Sequence, residues 1–354
     1  MPLVAHNDLP AFGKLQQDGL RVLSPKTAGH QDIRELHIGL LNMMPDAALE
    51  ATERQFLRLI GESNPIAQFF VHPFTLDALP RAANARAHID AYYESFDEIR
   101  AQGLDGLIIT GANVIGADLS QEVFWQPLIE VADWAHREVT STLCSCLATH
   151  AVLDFRYAQK RVKQKTKKWG VFRHRVIDSG HPLVVDVNTE FDVPHSRWND
   201  VHPEQFVAAG LHQLVVGDDD CVHLATSEDG FRTVFFQGHP EYDTISLLKE
   251  YKRDVNLYIA GGMDGYPPMP ENYFGEFSAA TMREYRWRLQ RCQDNGEAPP
   301  LFPEHLVLPR LNNTWRDTAS AMVGAWIGLI YQITSLDRHQ PFMRGVDPDN
   351  PLGL

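Results

Sequence analysis

The sequence predicts an α/β protein, with a mostly parallel sheet carrying helices on both faces. Three observations predict it: short apolar runs recur along the chain, amphipathic stretches of helical period lie between them, and Asn, Gly or Pro closes several of the runs. Sheets of this kind bind ligands in the crevice beyond the carboxyl ends of their strands, so residues just past each run are the first candidates for function.

Residues 1–35 are polar and irregular and read as an N-terminal arm. Leu36–Leu41 (LHIGLL) is the first buried strand, and it ends at the turn Asn42-Met43-Met44-Pro45. Asp46 is placed to cap a following helix whose apolar face is Leu49, Phe56, Leu57 and Ile60. Phe69–Pro73 (FFVHP), Asp105–Thr110 (DGLIIT) and Val139–Cys144 (VTSTLC) are the next strands, the last followed at once by a helical pattern over Leu147–Phe155. Thr233–Gln237 (TVFFQ) is a late strand, closed by Gly238. These elements define a catalytic domain over 36–335. Two proline-rich stretches flank a helix over Ser278–Cys292 and mark an excursion at about 274–308; the tail 336–354 is polar and rich in Pro and Gly, and reads as extended.

Composition narrows the function. A net charge of -14 argues against a general nucleic-acid binder, because phosphate binding wants a basic surface. No run of eighteen apolar residues occurs, so no membrane span is expected, and the first residues lack the basic-then-apolar pattern of a secretory signal. The four cysteines, Cys144, Cys146, Cys221 and Cys292, contain no C-x-x-C pair, so no structural zinc is expected and a reducing cytoplasm fits. The basic run 160–168 (KRVKQKTKK) reads as a solvated loop or helix face; its functional reading is a cationic lip for an anionic substrate such as the phosphates of coenzyme A.

The chemistry sits at the strand ends. Cys146 follows a strand and opens a helix, whose free N–H groups and positive dipole end favour the nucleophilic thiolate. The N–H of Leu147 is placed to hold a tetrahedral oxyanion. Gly238-His239-Pro240-Glu241 closes another strand, where His239 can serve as base and Glu241 can orient it. This pairing indicates acyl transfer or amide hydrolysis through a thioester, and the residues alone leave a glutaminase and an acyl-CoA transferase both open.

The segments IGLLNMMPDAALEATERQFLRLIG (38–61), DGLIITGA (105–112), VTSTLCSC (139–146), GVFRHRV (170–176), VPHSRW (193–198), GHPEYD (238–243), EYKRDV (250–255) and NTWRDTA (313–319) resemble the homoserine O-succinyltransferase family of methionine biosynthesis. The resemblance runs in order from about residue 36 to about 335. It implies a flavodoxin-like α/β fold related to class I glutamine amidotransferases, and a cytoplasmic homodimer. It implies a ping-pong reaction with no metal or cofactor, acyl-CoA being a co-substrate and L-homoserine the acceptor. Cys146 matches the acyl-thioester cysteine, His239 the general base and Glu241 its orienting acid, while Lys167, Ser196 and Arg253 match contacts to the amino acid. Arg253 suits a carboxylate, which a guanidinium grips with two parallel bonds.

Departures from the family bear on specificity. The Gly-x-Cys-x-Gly elbow of the related amidotransferases is absent, since the chain reads Cys144-Ser145-Cys146-Leu147-Ala148, which weighs against a glutaminase or peptidase. A non-enzymatic descendant is disfavoured by the joint presence of Cys146, His239 and Glu241. Ile115 stands where the family carries glycine, associated with succinyl-CoA, or glutamate, associated with acetyl-CoA. Isoleucine removes the charge that would repel a succinyl carboxylate and adds only bulk. Succinyl-CoA is therefore the expected donor, acetyl-CoA the runner-up, and L-serine the alternative acceptor.

Overall fold

A computed structural model describes residues 3–31, 33–63, 67–114, 116 and 118–354. Its strands are β1 (Leu3–Val4), β2 (Val22–Leu23), β3 (Glu35–Leu41), β4 (Gln68–Phe74), β5 (Gly106–Ile109), β6 (Ser141–Ser145), β7 (Val162–Val176), β8 (Glu190–Asp200), β9 (His212–Gly217), β10 (Val222–Thr226) and β11 (Thr233–Phe236). They form one sheet in the order β2-β1-β4-β3-β5-β6-β11-β10-β9-β7-β8. Pairing is parallel from β2 through to β11 and antiparallel from β11 to β8. The predicted mostly parallel α/β sheet is what forms, with an antiparallel extension.

The period-two alternation of the central strands sorts their side chains between two cores. Leu36, Ile38, Leu40, Ile108, Leu143, Val234 and Phe236 face one way, against helices Pro10–Gln17, Leu49–Ser63 and Arg316–Ile333. Leu107, Ile109, Cys144 and Phe235 face the other, against helices Phe96–Gln102, Trp125–Glu138 and Leu147–Tyr157. Trp326 closes the first core: its ring is buried and its indole N–H donates to Ser141 Oγ at 2.8 Å, tying the late helix to the start of β6. Losing a side chain of this kind costs about 3–5 kcal/mol. A third core joins helices Ser246–Ile259 and Glu276–Asn295, the second of which is the helix expected inside the proline-rich excursion.

Four local expectations change. The N-terminal segment is not irregular: β1 inserts between β2 and β4, and Phe12 and Leu15 of its helix are buried. Asp46 does not cap the following helix, which begins at Leu49; its carboxylate accepts from the Ala82 N–H at 2.8 Å and pairs with Arg81. The basic run lies in β7, a long edge ribbon with β8 whose register shifts between Lys163 and Lys168. The tail folds back, burying Phe342 beside Arg232.

Candidate active site

Cys146 sits between β6 and helix Leu147–Tyr157 with φ 52° and ψ -106°, a left-handed backbone that a side-chain-bearing residue adopts only under constraint. The constraint is visible. The Cys146 N–H donates to the Phe236 carbonyl at 2.7 Å, and the Thr149 hydroxyl lies 2.9 Å from both the Cys144 and Phe236 carbonyls. Cys146 is thereby turned out of the strand at the head of a helix. Leu147 is the first residue of that helix, and its N–H donates to no backbone carbonyl among the described residues. Gly111, closing β5, lies alongside: a Cβ there would stand 3.6 Å from Cys146 Cβ and 3.7 Å from the Leu147 nitrogen, so glycine leaves that space open.

His239 reaches the same point from the end of β11. Its N–H donates to the Pro194 carbonyl at 2.8 Å, its ring Nδ1 lies 2.8 Å from Glu241 Oε1, and the ring interacts electrostatically with Cys146. Gly238 is required here, because a Cβ would meet Val193 Cγ1 at 2.5 Å and the rings of His195 and His223 at 2.9 Å. Tyr242 stacks on His239 with ring centroids 4.3 Å apart.

Electrostatics follow from this packing. Burial pushes the Cys146 thiol up, but the His239 charge and hydrogen bond outweigh it and hold Cys146 below the usual thiol value. Burial pushes the His239 imidazole down, and the Cys146 and Glu241 charges reverse this, leaving it raised. Each charge of the pair thus favours the other, shifting the balance toward thiolate and imidazolium. Cys144, wholly enclosed, is pushed up by burial to about 12 and stays an inert thiol. Arg197, also buried, adds positive charge near Cys146; its guanidinium donates to Asp200 at 3.0 Å, to Cys221 Sγ at 2.7 Å and to His195 Nδ1.

A second cluster adjoins the first through Tyr242. Its hydroxyl donates to Glu250 Oε1 at 2.7 Å, while Glu250 Oε2 accepts from Lys167 Nζ at 3.1 Å and from Ser196 Oγ at 2.6 Å. Burial alone would raise the Glu250 carboxyl; the Lys167 charge and these bonds bring it below its ordinary value, so it is ionised. Lys167 and Ser196 are thus drawn together around Glu250, with Tyr242 between them and the Cys146–His239 pair. Arg253 is not drawn in: it lies three residues past Glu250 on the same helix, 59% exposed and paired with Asp254 at 2.9 Å. Ile115 lies outside the described residues; the carbonyls of its neighbours Val114 and Gly116 both accept from Arg161.

Tyr242, Glu250, Arg197 and Arg161 escaped the sequence reading. Tyr242, Glu250 and Arg197 stand inside the quoted blocks GHPEYD, EYKRDV and VPHSRW, so a signal was present but carried no chemistry without contacts.

Comparison with known proteins adds the following. The family model described as homoserine O-succinyltransferase matches residues 2–336. The homoserine O-succinyltransferase of Allochromatium vinosum is 64% identical over 354 residues, covering 100% of this chain and 99% of that one. That of Thiobacillus denitrificans is also 64% identical, covering 100% of both chains. A solved glutamine amidotransferase from Methylobacillus flagellatus overlays with TM-score 0.43 at 13% identity, over 84% of this chain and 95% of that one.

Proposed function

The chain belongs to the homoserine O-succinyltransferase family, and from that premise we propose that it moves a succinyl group from succinyl-CoA to the hydroxyl of L-homoserine through a thioester on Cys146. The observation that supports this scheme best is the run Cys146–His239–Glu241, with a cysteine at a strained elbow whose thiolate form is favoured by the neighbouring His239, and with that imidazole oriented by a carboxylate at 2.8 Å.

The Cys146 thiolate attacks the succinyl-CoA carbonyl, and the Leu147 N–H stabilises the oxyanion of the tetrahedral intermediate. Collapse breaks the bond to the coenzyme A sulfur, which takes the proton from His239 and leaves as the thiol. His239 is now neutral and Cys146 acylated. The homoserine hydroxyl then gives its proton to His239 as its oxygen attacks the thioester. Collapse expels the Cys146 thiolate beside the re-formed imidazolium and releases O-succinylhomoserine. Glu241 holds Nδ1–H throughout, so that Nε2 faces the reaction. Each step moves only an acyl group and a proton among these residues, so the scheme calls on no cofactor.

Lys167, Ser196 and Arg253 bind the amino acid in this reading. Arg253, exposed beside the cluster, exchanges Asp254 for the homoserine carboxylate. Among the described residues no helix is long and apolar enough to cross a membrane; a cytoplasmic location and a homodimer are part of the same proposal, taken from the family resemblance. The test is intact-mass measurement after mixing with succinyl-CoA alone. A succinyl adduct on the wild type that disappears in Cys146→Ser and persists in Cys144→Ser is expected; an adduct mapped to Cys144 overturns the assignment. Acetyl-CoA and L-serine, run in the same assay, test the donor and acceptor.

A further inference from the structure

We propose that His6, His72 and Glu94 form a zinc(II) site that clamps the N-terminal strand pair to the body of the sheet. His6 follows β1, His72 lies in β4, and Glu94 directly precedes Ser95, which caps helix Phe96–Gln102. One ligand atom from each side chain lies within 4.8 Å of the other two. Two imidazole nitrogens and one carboxylate oxygen are a zinc donor set, leaving a fourth tetrahedral position for water from the Glu94 side.

The surroundings prepare these atoms for a metal. His6 Nδ1 is 3.1 Å from the Val4 carbonyl and donates to it, which leaves Nε2 as a lone pair. That Nε2 is buried and has no hydrogen-bond partner among the described residues. A ring with one N–H tied to a backbone carbonyl and the other nitrogen open is how proteins present histidine to a metal. Gln102 Nε2 donates to Glu94 Oε2 at 3.0 Å and fixes the carboxylate, whose Oε1 faces His72 Nδ1 at 2.6 Å. His72 Nε2 lies 2.9 Å from His37 Nδ1, so its outer nitrogen has a partner too.

Binding displaces the proton shared between His72 Nδ1 and Glu94 Oε1, which passes to solvent and frees both atoms for the metal. Tetrahedral bonds of about 2.0–2.1 Å set ligand atoms roughly 3.3 Å apart, so the Nδ1–Oε1 contact opens by a rotation of the glutamate side chain. The site is remote from acyl transfer: in the sheet order β4-β3-β5-β6, β4 stands three strand spacings of about 4.8 Å from the strand that ends at Cys146. Its effect falls on the sheet edge.

The experiment is equilibrium dialysis of the full chain against zinc chloride, with metal counted per chain, followed by melting with and without chelator. One zinc per chain is expected, with melting raised by roughly 5 °C at a hundredfold excess over Kd. His6→Phe keeps a ring against Phe12 and Phe70, and it should weaken binding at least ~10-fold, as should Glu94→Gln. Cys146→Ser should bind as the wild type, and cobalt(II) in the site should show visible ligand-field bands without thiolate charge transfer. No zinc retained by the wild type, binding untouched by Glu94→Gln, or a thiolate band overturns the proposal. Should His6→Phe fail to fold by circular dichroism, Glu94→Gln and the cobalt spectrum decide the matter.

Discussion

Glu241→Gln separates the charge of the orienting residue from its geometry. The amide oxygen can still accept the Nδ1–H now 2.8 Å from Glu241 Oε1, so the ring stays aimed at Cys146. What disappears is the negative charge that helps raise His239. A hydrogen bond to a charged partner contributes roughly 1.5–3 kcal/mol and a neutral one roughly 0.5–1.5, a difference of about 1–1.5 kcal/mol. That corresponds to about one pKa unit at His239. The sign follows from the acid role. A raised imidazole keeps its proton as pH rises and gives it to the departing coenzyme A sulfur, and activity is lost as pH passes through the raised value. Lowering that value moves the alkaline limb of the acylation rate down by about one pH unit, with a drop of about tenfold where the limb crosses the assay pH. Stopped-flow release of free coenzyme A across a pH series measures it, reported as apparent values of the coupled pair. An alkaline limb that stays in place while the rate falls would refute the electrostatic reasoning and leave Glu241 a purely steric support.

Gly238→Ala should cost about 1–3 kcal/mol of stability through the Val193 contact at 2.5 Å, and should slow both half-reactions by displacing His239; denaturant unfolding with single-turnover rates checks both. Glu250→Gln removes the charge facing Lys167 and should raise the homoserine KM severalfold while changing adduct formation from succinyl-CoA little; equal loss in both half-reactions would place Glu250 in acylation instead. Arg253→Lys keeps the charge without the planar fork and should raise the same KM, an unchanged value marking Arg253 as a bystander. Ile115→Glu should depress kcat/KM for succinyl-CoA more than for acetyl-CoA, and equal effects on the two donors would remove that position from donor choice.

The central strands were legible because their burial is written into apolar runs: β3, β4, β5, β6 and β11 lie within two residues of their expected ends. The edges were not. Leu3–Val4 and Val22–Leu23 are two-residue strands, too short for any period, and become strands only by pairing with β4 and each other. In β7, charged side chains over 163–168 mask alternation, since that end of the ribbon is largely exposed and no core dictates which residues are apolar. At the site, the chemistry of Cys146, His239 and Glu241 follows from residue type and strand-end position. Glu250 is different: an acidic residue within a helix has no distinguishing pattern, and its meaning comes from Lys167 and Ser196, 83 and 54 residues away in sequence.

The Phe236 carbonyl joins two parts of the machinery that the chain places far apart. It receives the Cys146 N–H at 2.7 Å and the Thr149 hydroxyl at 2.9 Å, and it lies three residues before His239. Sulfur and imidazole therefore hang from one joint, so a displacement of that strand end shifts both together. The groups proposed to hold the amino acid, on β7, β8 and helix Ser246–Ile259, hang from other supports. A designer could redraw the acceptor pocket on those supports, for a longer or shorter hydroxy amino acid, while leaving the spacing between sulfur and imidazole untouched.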